Sequence, residues 1–398
     1  MTGHTLSPLK RTVVGVQFMF VAFGSTVLVP LLVGFDPAIA LLAAGLGTLL
    51  FHAVTGGKVP IYLGSSFAFI APIVKATELY GMSGMFCGLV AVGLVYMLMS
   101  LLVRLFGVGL IKKLFPPVVI GPVIILIGLS LAGSGVKMAS SNWILALVSL
   151  GVAIICSIWG KGMVKLIPVV FGAAAGYLVS VLFFRDAMDF SGVSSAPWIS
   201  LPHLTKMSFS WQAIVFMAPV AIAPIIEHVG DMYAIGEIAG KDFIKDPGLH
   251  RTMLGDGLAS ILAAFLGGAP VTTYSEVTGA VSLTKVTDPQ CMRIAAISAI
   301  LISLVGKVGA AIQTIPEAVL GGIMLLLFGS IASVGINNMI KARIDMNDTR
   351  NLVIVSLILT MGIGGAVLTF GKFSLAGIGL ASVVGVVLNL IIPETKKQ

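Results

Sequence analysis

Long apolar runs separated by short polar stretches dominate the hydropathy pattern along the chain. Most of these runs are about 17–25 residues long, the length that an α-helix needs to cross the hydrocarbon core of a bilayer. Alternating segments of roughly ten residues, typical of a membrane β-barrel, do not recur. The pattern therefore predicts an all-α polytopic membrane protein with fourteen membrane-spanning segments, at residues 12–34, 37–55, 59–76, 82–106, 114–132, 142–160, 164–184, 210–235, 250–267, 268–284, 290–312, 316–336, 350–370 and 373–393.

The third and tenth segments are short and are interrupted by Pro, Gly, Ser and Thr. They read "YLGSSFAFIAP" at residues 62–72 and "APVTTYSEVTG" at residues 269–279. Both stretches predict a short extended strand followed by a short helix. Extended backbone at membrane depth is tolerated only inside protein or beside a wet cavity, because lipid cannot satisfy its N–H and C=O groups.

An internal repeat relates the two halves of the chain. "PPVVIGPVIILIGLSLAGSG" at 116–135 and "PEAVLGGIMLLLFGSIASVG" at 316–335 align without gaps, with spaced Pro and Gly residues at matching positions. Chance matching of common membrane residues is the alternative. Because an odd number of segments separates the copies, the second copy would enter from the opposite side. The fourteen segments would thus form two inverted seven-segment repeats. Inverted repeats are the architecture of many secondary transporters, which bind substrate near the midplane at broken segments.

Composition agrees with a membrane protein. The 398 residues are 58% hydrophobic and 10% charged, with a mean hydropathy of +1.09, whereas a soluble domain is about 25% charged. The net charge of +8 is explained by the positive-inside rule without nucleic acid. With a cytoplasmic N-terminus, all but six of the 24 Lys and Arg residues lie in inner loops or tails, the exceptions being Lys75, Lys137, Arg185, Lys206, Lys307 and Lys372. An even number of segments with both termini inside follows.

Three acidic residues stand out because they interrupt apolar runs. Glu227 and Asp231, in "APIIEHVGDMYAIG", are four apart and share one helix face, and Glu276 lies in the broken tenth segment. Acids inside a membrane are costly and are functional candidates. Alternatively, the two glutamates could make structural hydrogen bonds between helices, and Asp231 could be a solvated group that faces the cytoplasmic vestibule. Asp256 is expected to be a cap or loop contact, and no metal-ligand or cofactor motif is present.

Several motifs together resemble the nucleobase–cation symporter family, the nucleobase–ascorbate transporters, and most of all its uracil permease branch. The resemblance covers nearly the whole chain and rests on "LVPLLVGFDPA", "YLGSSFAFIAP", "EHVGD", "DPGLHRTMLGDG", "TTYSEVTGAVSLTK" and "IPEAVLGGIMLLLFG". It implies a core domain (1–113 and 208–313, segments 1–4 and 8–11) and a gate domain (114–207 and 314–398, segments 5–7 and 12–14). It also implies elevator-like motion of the core against the gate, and a homodimer.

The resemblance implies a substrate site between the third and tenth segments. Glu227 and Glu276 would hydrogen-bond the edge of a nucleobase, and Phe67 would pack on its ring. For Phe67 the sequence itself also allows this role, because the residue lies in an extended stretch where its ring could stack on a planar ligand. The remaining substrate-binding residues implied are Tyr274, Ser275 through its backbone, and Phe328. Glu227 and Asp231 would couple transport to a proton.

The chain departs from the family pattern at three positions. Val277 replaces an Asn, Ser275 replaces a usual Gly, and Phe18 stands where many relatives have His. Because of these departures, the sequence supports a nucleobase as the substrate class more firmly than it supports uracil as the specific base.

The expected function is therefore import of a nucleobase, most of all uracil, by proton symport across a cell (inner) membrane. A xanthine or purine permease and a Na⁺-coupled carrier are alternatives within this class. An anion transporter or channel of the related sulfate-transporter fold is the alternative from another class, although two buried glutamates argue against an anion site. An intramembrane enzyme is not expected, because no nucleophile or metal constellation accompanies the acids.

Overall fold

The computed structural model describes residues 7–185, 188–200, 206–370 and 373–393, which are mostly helical. The helices of the first half, to residue 200, are α1 Pro8–Val33, α2 Pro37–Val54, α3 Ile70–Phe106, α4 Gly109–Leu114, α5 Pro117–Ser140, α6 Trp143–Trp159, α7 Met163–Leu166, α8 Pro168–Phe183 and α9 Ser191–Ser195. The helices of the second half are α10 Trp211–Met217, α11 Ile222–Ala239, α12 Leu249–Leu266, α13 Ser275–Thr284, α14 Pro289–Ser303, α15 Gly306–Gln313, α16 Glu317–Lys341, α17 Thr349–Ile363 and α18 Gly377–Ile391.

Short polar stretches between the apolar runs begin and end the helices. Asp36 and Asp288 are N-caps whose side chains accept backbone N–H groups of the first turn, and each precedes a proline at the first helical position. Such caps satisfy donors that have no partner within the helix. Gly34 and Gly267 end α1 and α12 in the left-handed conformation, which glycine adopts without strain. Local sequence chemistry therefore sets these boundaries.

Six helical stretches of the described residues are long and apolar enough to cross a membrane, or seven if the bent pair α14–α15 counts as one span. The six are Pro8–Val33, Pro37–Val54, Phe67–Phe106, Pro117–Ser140, Trp211–Ala239 and Glu317–Lys341. Four further apolar helices are shorter, namely Trp143–Trp159, Pro168–Phe183, Thr349–Ile363 and Gly377–Ile391. The chain is thus a multi-pass membrane protein, as its hydropathy predicts.

The two copies of the internal repeat pack directly against each other as α5 and α16. A Cβ added to Gly335 would lie 2.6 Å from the Gly121 carbonyl oxygen, and one added to Gly321 would clash with Ala139. Early residues of one helix therefore meet late residues of the other, so that the two helices are antiparallel. The inverted repeat predicts this direction, and glycines let the two backbones approach closely.

The two broken stretches contain one strand each, β1 Leu63–Ser65 and β2 Val271–Thr273. They pair antiparallel with Gly64 opposite Thr272. A 3-10 turn, Phe67–Phe69, links β1 to α3, whereas β2 runs into α13. All six strand residues are buried. The smallest sheet in the fold therefore lies in its interior, between helices from both halves of the chain.

The helices that cover the predicted segments are broken at two places. Helix α3 covers both the third and the fourth predicted segments, and its backbone breaks at Gly81 (φ 71°, ψ 163°), inside the predicted gap between them. The eleventh segment is bent by 83° between α14 and α15.

The thirteenth and fourteenth segments are not helical over their full predicted lengths, and strands are not confined to the third and tenth. Residues Val367–Phe370 and Phe373–Ala376 form two strands, β3 and β4, that pair antiparallel. The prediction was wrong here because a short, mostly apolar strand has a hydropathy similar to that of a turn of membrane helix.

Candidate functional site

The outer edges of the β1–β2 sheet are satisfied by side chains of two helices. Thr48 of α2 accepts a hydrogen bond from the Leu63 N–H (2.9 Å) and donates to the Leu63 carbonyl (3.4 Å). On the opposite edge, Ser260 of α12 donates to the Val271 carbonyl (2.8 Å). Lipid cannot satisfy such backbone groups, so protein must do so. Helices α2 and α12 therefore hold extended backbone at membrane depth.

Tyr274, which directly follows β2, braces the pair of strands. Its hydroxyl donates to the Ser65 carbonyl (2.8 Å) and accepts from Thr26 of α1 (3.4 Å). Its ring lies against Gly64, where an added Cβ would clash with the ring atoms. The side chain is buried, with 3% of its surface exposed. Tyr274 thus lies at the predicted site, and its side chain holds β1, β2 and α1 together.

The structure brings the predicted acids together beside this sheet. Glu227 lies in α11, Glu276 in the first turn of α13, and both are partly buried. The Glu227 carboxylate interacts electrostatically with Asp231, Glu276 and Asp256. Glu276 accepts from its own backbone N–H, at a helix N-terminus that favours negative charge. Within the described residues, Glu227 has no hydrogen-bond donor, so its carboxylate is available to a ligand.

Asp231 is buried, and its carboxylate is bound to strand β2. Thr273 Oγ1 donates to Asp231 Oδ2 at 2.9 Å, and 5% of the Asp231 surface is exposed. The alternative of a solvated vestibule group is therefore wrong for this conformation. Asp231 connects α11 to the strand that leads into Glu276.

A second buried polar cluster lies behind β2, and the sequence did not predict it. His228 Nδ1 lies 2.8 Å from Asp256 Oδ2, and His228 Nε2 lies 2.9 Å from Thr252 Oγ1. The Thr273 N–H also donates to Asp256 Oδ2, at 3.3 Å. His228, Asp256 and Thr252 are fully buried. The expectation that Asp256 is a cap or loop contact is wrong, because it lies inside α12 and holds the edge of β2.

The two predicted aromatic residues meet at the site. Phe67, in the turn after β1, and Phe328 of α16 pack edge to face, with ring centroids 6.1 Å apart and ring planes at 90°. Both side chains are buried. They join the first broken segment to the repeat helix of the second half, so a planar ligand beside the strands would lie next to these rings.

The departures from the family pattern fall in well-packed surroundings. Phe18 and Val277 are fully buried, so apolar packing replaces the polar side chains expected at these positions. The backbone of Ser275 begins α13, and its side chain lies outside the described residues. Among the described residues, no group of three or more His, Cys, Asp or Glu side chains is arranged to hold a metal ion. The chemistry of the site is therefore that of carboxylates, backbone N–H groups and aromatic rings.

Comparison with known sequences gives consistent matches over nearly the full chain. A sequence model of the Permease family matches residues 9–370. The chain is 50% identical over 400 residues to the "Probable uracil permease" of Pasteurella multocida (strain Pm70), covering 97% of this chain and 94% of that protein. It is 44% identical over 393 residues to the "Uracil permease" of Bacillus caldolyticus (95% and 90% covered) and 39% identical over 396 residues to that of Escherichia coli (strain K12) (96% and 92% covered).

Solved structures of more distant proteins share the fold. SLC26A9 superimposes with a TM-score of 0.72 at 13% identity, covering 96% of this chain and 65% of that longer chain. The transmembrane domain of the cyanobacterial bicarbonate transporter BicA gives a TM-score of 0.65 at 17% identity, covering 98% of both chains. At such low identities the likeness shows the fold alone.

Proposed function

Because the chain belongs to the nucleobase–ascorbate transporter family, and is therefore a nucleobase transporter and not an enzyme, we propose that it carries uracil together with a proton. The observation that carries this proposal is the meeting of Glu227 and Glu276 beside the paired strands. The named relatives, all uracil permeases, supply the substrate class.

The chemistry of the site suits the edge of a pyrimidine. Uracil presents two N–H donors and two carbonyl acceptors around a flat ring. The carboxylate of Glu276 accepts an N–H group, and a charged hydrogen bond of this kind is about twice as strong as a neutral one. Glu227, in its protonated form, donates to a carbonyl of the base. Backbone N–H groups at the start of α13, around Ser275, donate to a carbonyl, and Phe67 and Phe328 pack on the ring. Tyr274 contributes from behind the strands, by fixing their position.

Proton coupling is assigned to Glu227 and Asp231. Protonated Glu227 would donate to the substrate and release its proton after the site turns inward, and Asp231, next on the same helix face, would accept it. Burial of charge in a membrane is costly, so neutralising Glu227 before the loaded site moves lowers the barrier. Thr273 links Asp231 to the strand, which supports a connection between proton and substrate.

We further propose fourteen segments in two inverted repeats, a core (1–113 and 208–313) and a gate (114–207 and 314–398), with elevator-like motion between them. Helix packing supports this division: α12 packs on α2 and α3, and α14 on α1 and α2, whereas α16 packs on α5, α6 and α8. In this arrangement both strands and all three acids belong to the core. Phe328 belongs to the gate.

The proposed setting is a bacterial-type inner membrane with both termini in the cytoplasm, and the proposed assembly is a homodimer. One exposed face of α16 supports the dimer, because it presents small residues, among them Gly329, Ser330 and Ser333. Small residues at such a face let helices approach closely in a membrane.

Transport by purified protein in liposomes tests the proposal. An inward proton gradient is expected to drive accumulation of radiolabelled uracil, and an uncoupler to abolish it. Competition by unlabelled xanthine stronger than by uracil would assign a purine carrier, and loss of uptake when choline replaces Na⁺ would assign Na⁺ coupling. An anion current without uracil uptake would contradict a nucleobase substrate.

A further inference from the structure

The connection between α8 and α10 contains a strap, residues 191–200, that the transport mechanism above does not use. The strap consists of α9 and the five residues that follow it. We propose that Lys307 fastens the strap to the bend between α14 and α15, so that the strap moves with the core. The division given above places these residues in the gate (114–207). The motion of the strap rests on the proposed function, whereas its fastening does not.

The bend between α14 and α15 leaves backbone groups that these helices cannot satisfy. Helix α14 ends at Ser303 and α15 begins at Gly306, at an angle of 83°. The last carbonyls of the one and the first N–H groups of the other have no partner within their helix. The Ser200 N–H donates to the Leu304 carbonyl (3.0 Å), and the Gly306 N–H donates to the Trp198 carbonyl (3.2 Å). The strap therefore supplies the hydrogen bonds that the bent segment lacks.

The glycine at the start of α15 lets the backbone of the strap approach closely. A Cβ added to Gly306 would lie 2.6 Å from the Pro197 carbonyl oxygen and 2.7 Å from Ser200 Oγ. A larger residue at this position would thus push the strap away from the bend. By contrast, a Cβ added to Gly309, one turn further along α15, would have an ordinary contact with Ala38 Cβ, at 3.5 Å. The close fit is therefore specific to Gly306.

Lys307 holds the strap through its side chain. Its Nζ donates to the carbonyls of Val193 (2.9 Å) and Ser194 (3.5 Å), in the last turn of α9. These carbonyls have no partner within such a short helix, and a cation is favourable at a helix C-terminus. The same Nζ lies 5.5 Å from the centroid of the Trp198 ring, which is within the range of a cation–π contact. One side chain of α15 therefore contacts both α9 and the stretch after it.

The elements that hold the strap pack within the proposed core. Helix α9 packs on α15, α15 packs on α14 and α2, and α14 packs on α1 and α2. The same connection touches the core again at Ser208, whose N–H donates to the Ser83 carbonyl (3.1 Å) and whose hydroxyl donates to the Ser83 hydroxyl (3.0 Å). A connection held at two places by one body follows that body. The strap would thus travel with the substrate site.

Hydrogen–deuterium exchange of the full-length protein in lipid nanodiscs tests the fastening. The amides of Ser200 and Gly306 are expected to be protected both without ligand and with saturating uracil. Lys307→Met removes the donor to α9 and is expected to raise the exchange rate of the strap about tenfold, because charged hydrogen bonds are lost. Lys307→Arg keeps a cation and is expected to retain most of the protection. Lys206→Met, which changes an exposed lysine of the same connection, is the matched control.

A second variant displaces the strap without changing Lys307. Gly306→Ala is expected to raise the exchange rate of the strap, and Gly309→Ala, its matched control, is expected to leave it unchanged. Rapid exchange at Ser200 and Gly306 in the wild type would overturn the fastening, as would equal exchange of the strap in Lys307→Met and the wild type. These outcomes depend neither on transport nor on uracil binding.

Electron paramagnetic resonance distances test which domain the strap follows. The native cysteines are buried, so spin labels attach selectively to cysteines introduced at three exposed positions: Gly192 in the strap, Glu78 in the proposed core and Lys137 in the proposed gate. When uracil binds, the Gly192–Glu78 distance is expected to stay constant and the Gly192–Lys137 distance to change. A change in the Gly192–Glu78 distance would place the strap outside the core and overturn the proposal. Constancy of both distances would contradict the elevator-like motion instead, and it would agree with a strap fastened to the core.

Discussion

The ring of Phe67 meets the ring of Phe328 edge to face, with centroids 6.1 Å apart, directly beside the paired strands. The first ring follows β1, and the second belongs to α16, which packs on α5, α6 and α8. This contact is thus a point at which the two proposed domains touch at the site. A substrate entering between strands and gate would have to lie against these rings or separate them.

Phe328→Ala is expected to raise the KM for uracil about three- to tenfold, because an aromatic contact contributes about 0.5–1.5 kcal/mol. Phe328→Tyr keeps the ring and is the matched control, expected to retain most of the affinity. Initial uptake rates over a range of uracil concentrations measure the effect. Unchanged KM in the alanine variant would remove Phe328 from the site.

Glu276→Gln is expected to weaken uracil binding by about ten- to hundredfold, because the amide has the same shape but loses a charged hydrogen bond of about 1.5–3 kcal/mol. Thermal stabilisation of the purified variant by uracil measures the loss. Glu237→Gln, which changes an exposed acid near the end of α11, is the control for removing a carboxylate away from the site. Equal stabilisation of Glu276→Gln and wild type would show that Glu276 does not bind the base.

Tyr274→Phe removes the hydrogen bond to the Ser65 carbonyl and is expected to lower stability by about 1 kcal/mol. Gly64→Ala is expected to be more damaging, because the added methyl group would overlap the Tyr274 ring. Combining Gly64→Ala with Tyr274→Ala removes the overlap. Melting temperatures are therefore expected to be higher for this double variant than for Gly64→Ala alone. The opposite order would mean that the ring does not brace the strand.

Gly322→Ala is expected to destabilise the protein by about 1–3 kcal/mol, because overpacking forces backbone shifts. Its added methyl group would collide with the Ala146 carbonyl of α6. Gly151→Ala, in the facing helix α6, meets nothing within 4 Å and is the matched control. Fluorescence size-exclusion chromatography after heating compares the two. Equal melting of the two variants would contradict the close packing of α16 on α6.

The acids of the candidate site could be predicted because a charge within an apolar run is conspicuous. Glu227, Asp231 and Glu276 were found in this way, and the broken segments followed from Pro, Gly and Ser in runs too short to span. The antiparallel copies of the repeat were also predictable, since an odd number of segments reverses direction.

The cluster of His228, Thr252 and Asp256 could not be predicted, because its members lie up to 28 residues apart and meet only through packing. Asp256 lies in "TMLGDGLAS", whose polar residues have the composition of a loop. The polar part of α12 is surrounded by protein, but its sequence resembles that of a segment at the membrane boundary. The strands Val367–Phe370 and Phe373–Ala376 were missed for the opposite reason, since their mostly apolar sequence is typical of a membrane span.

Thr48 and Ser260, one from each half of the chain, grip the outer edges of the small sheet. If either strand shifted, the buried backbone groups of Leu63 or Val271 would lose the hydrogen bonds that these side chains provide. Under the proposed function, a substrate held beside the strands would therefore move together with the helices that support them. Removing the hydrogen bond from Thr48 or from Ser260 would therefore loosen the link between a bound substrate and the helices that would move it.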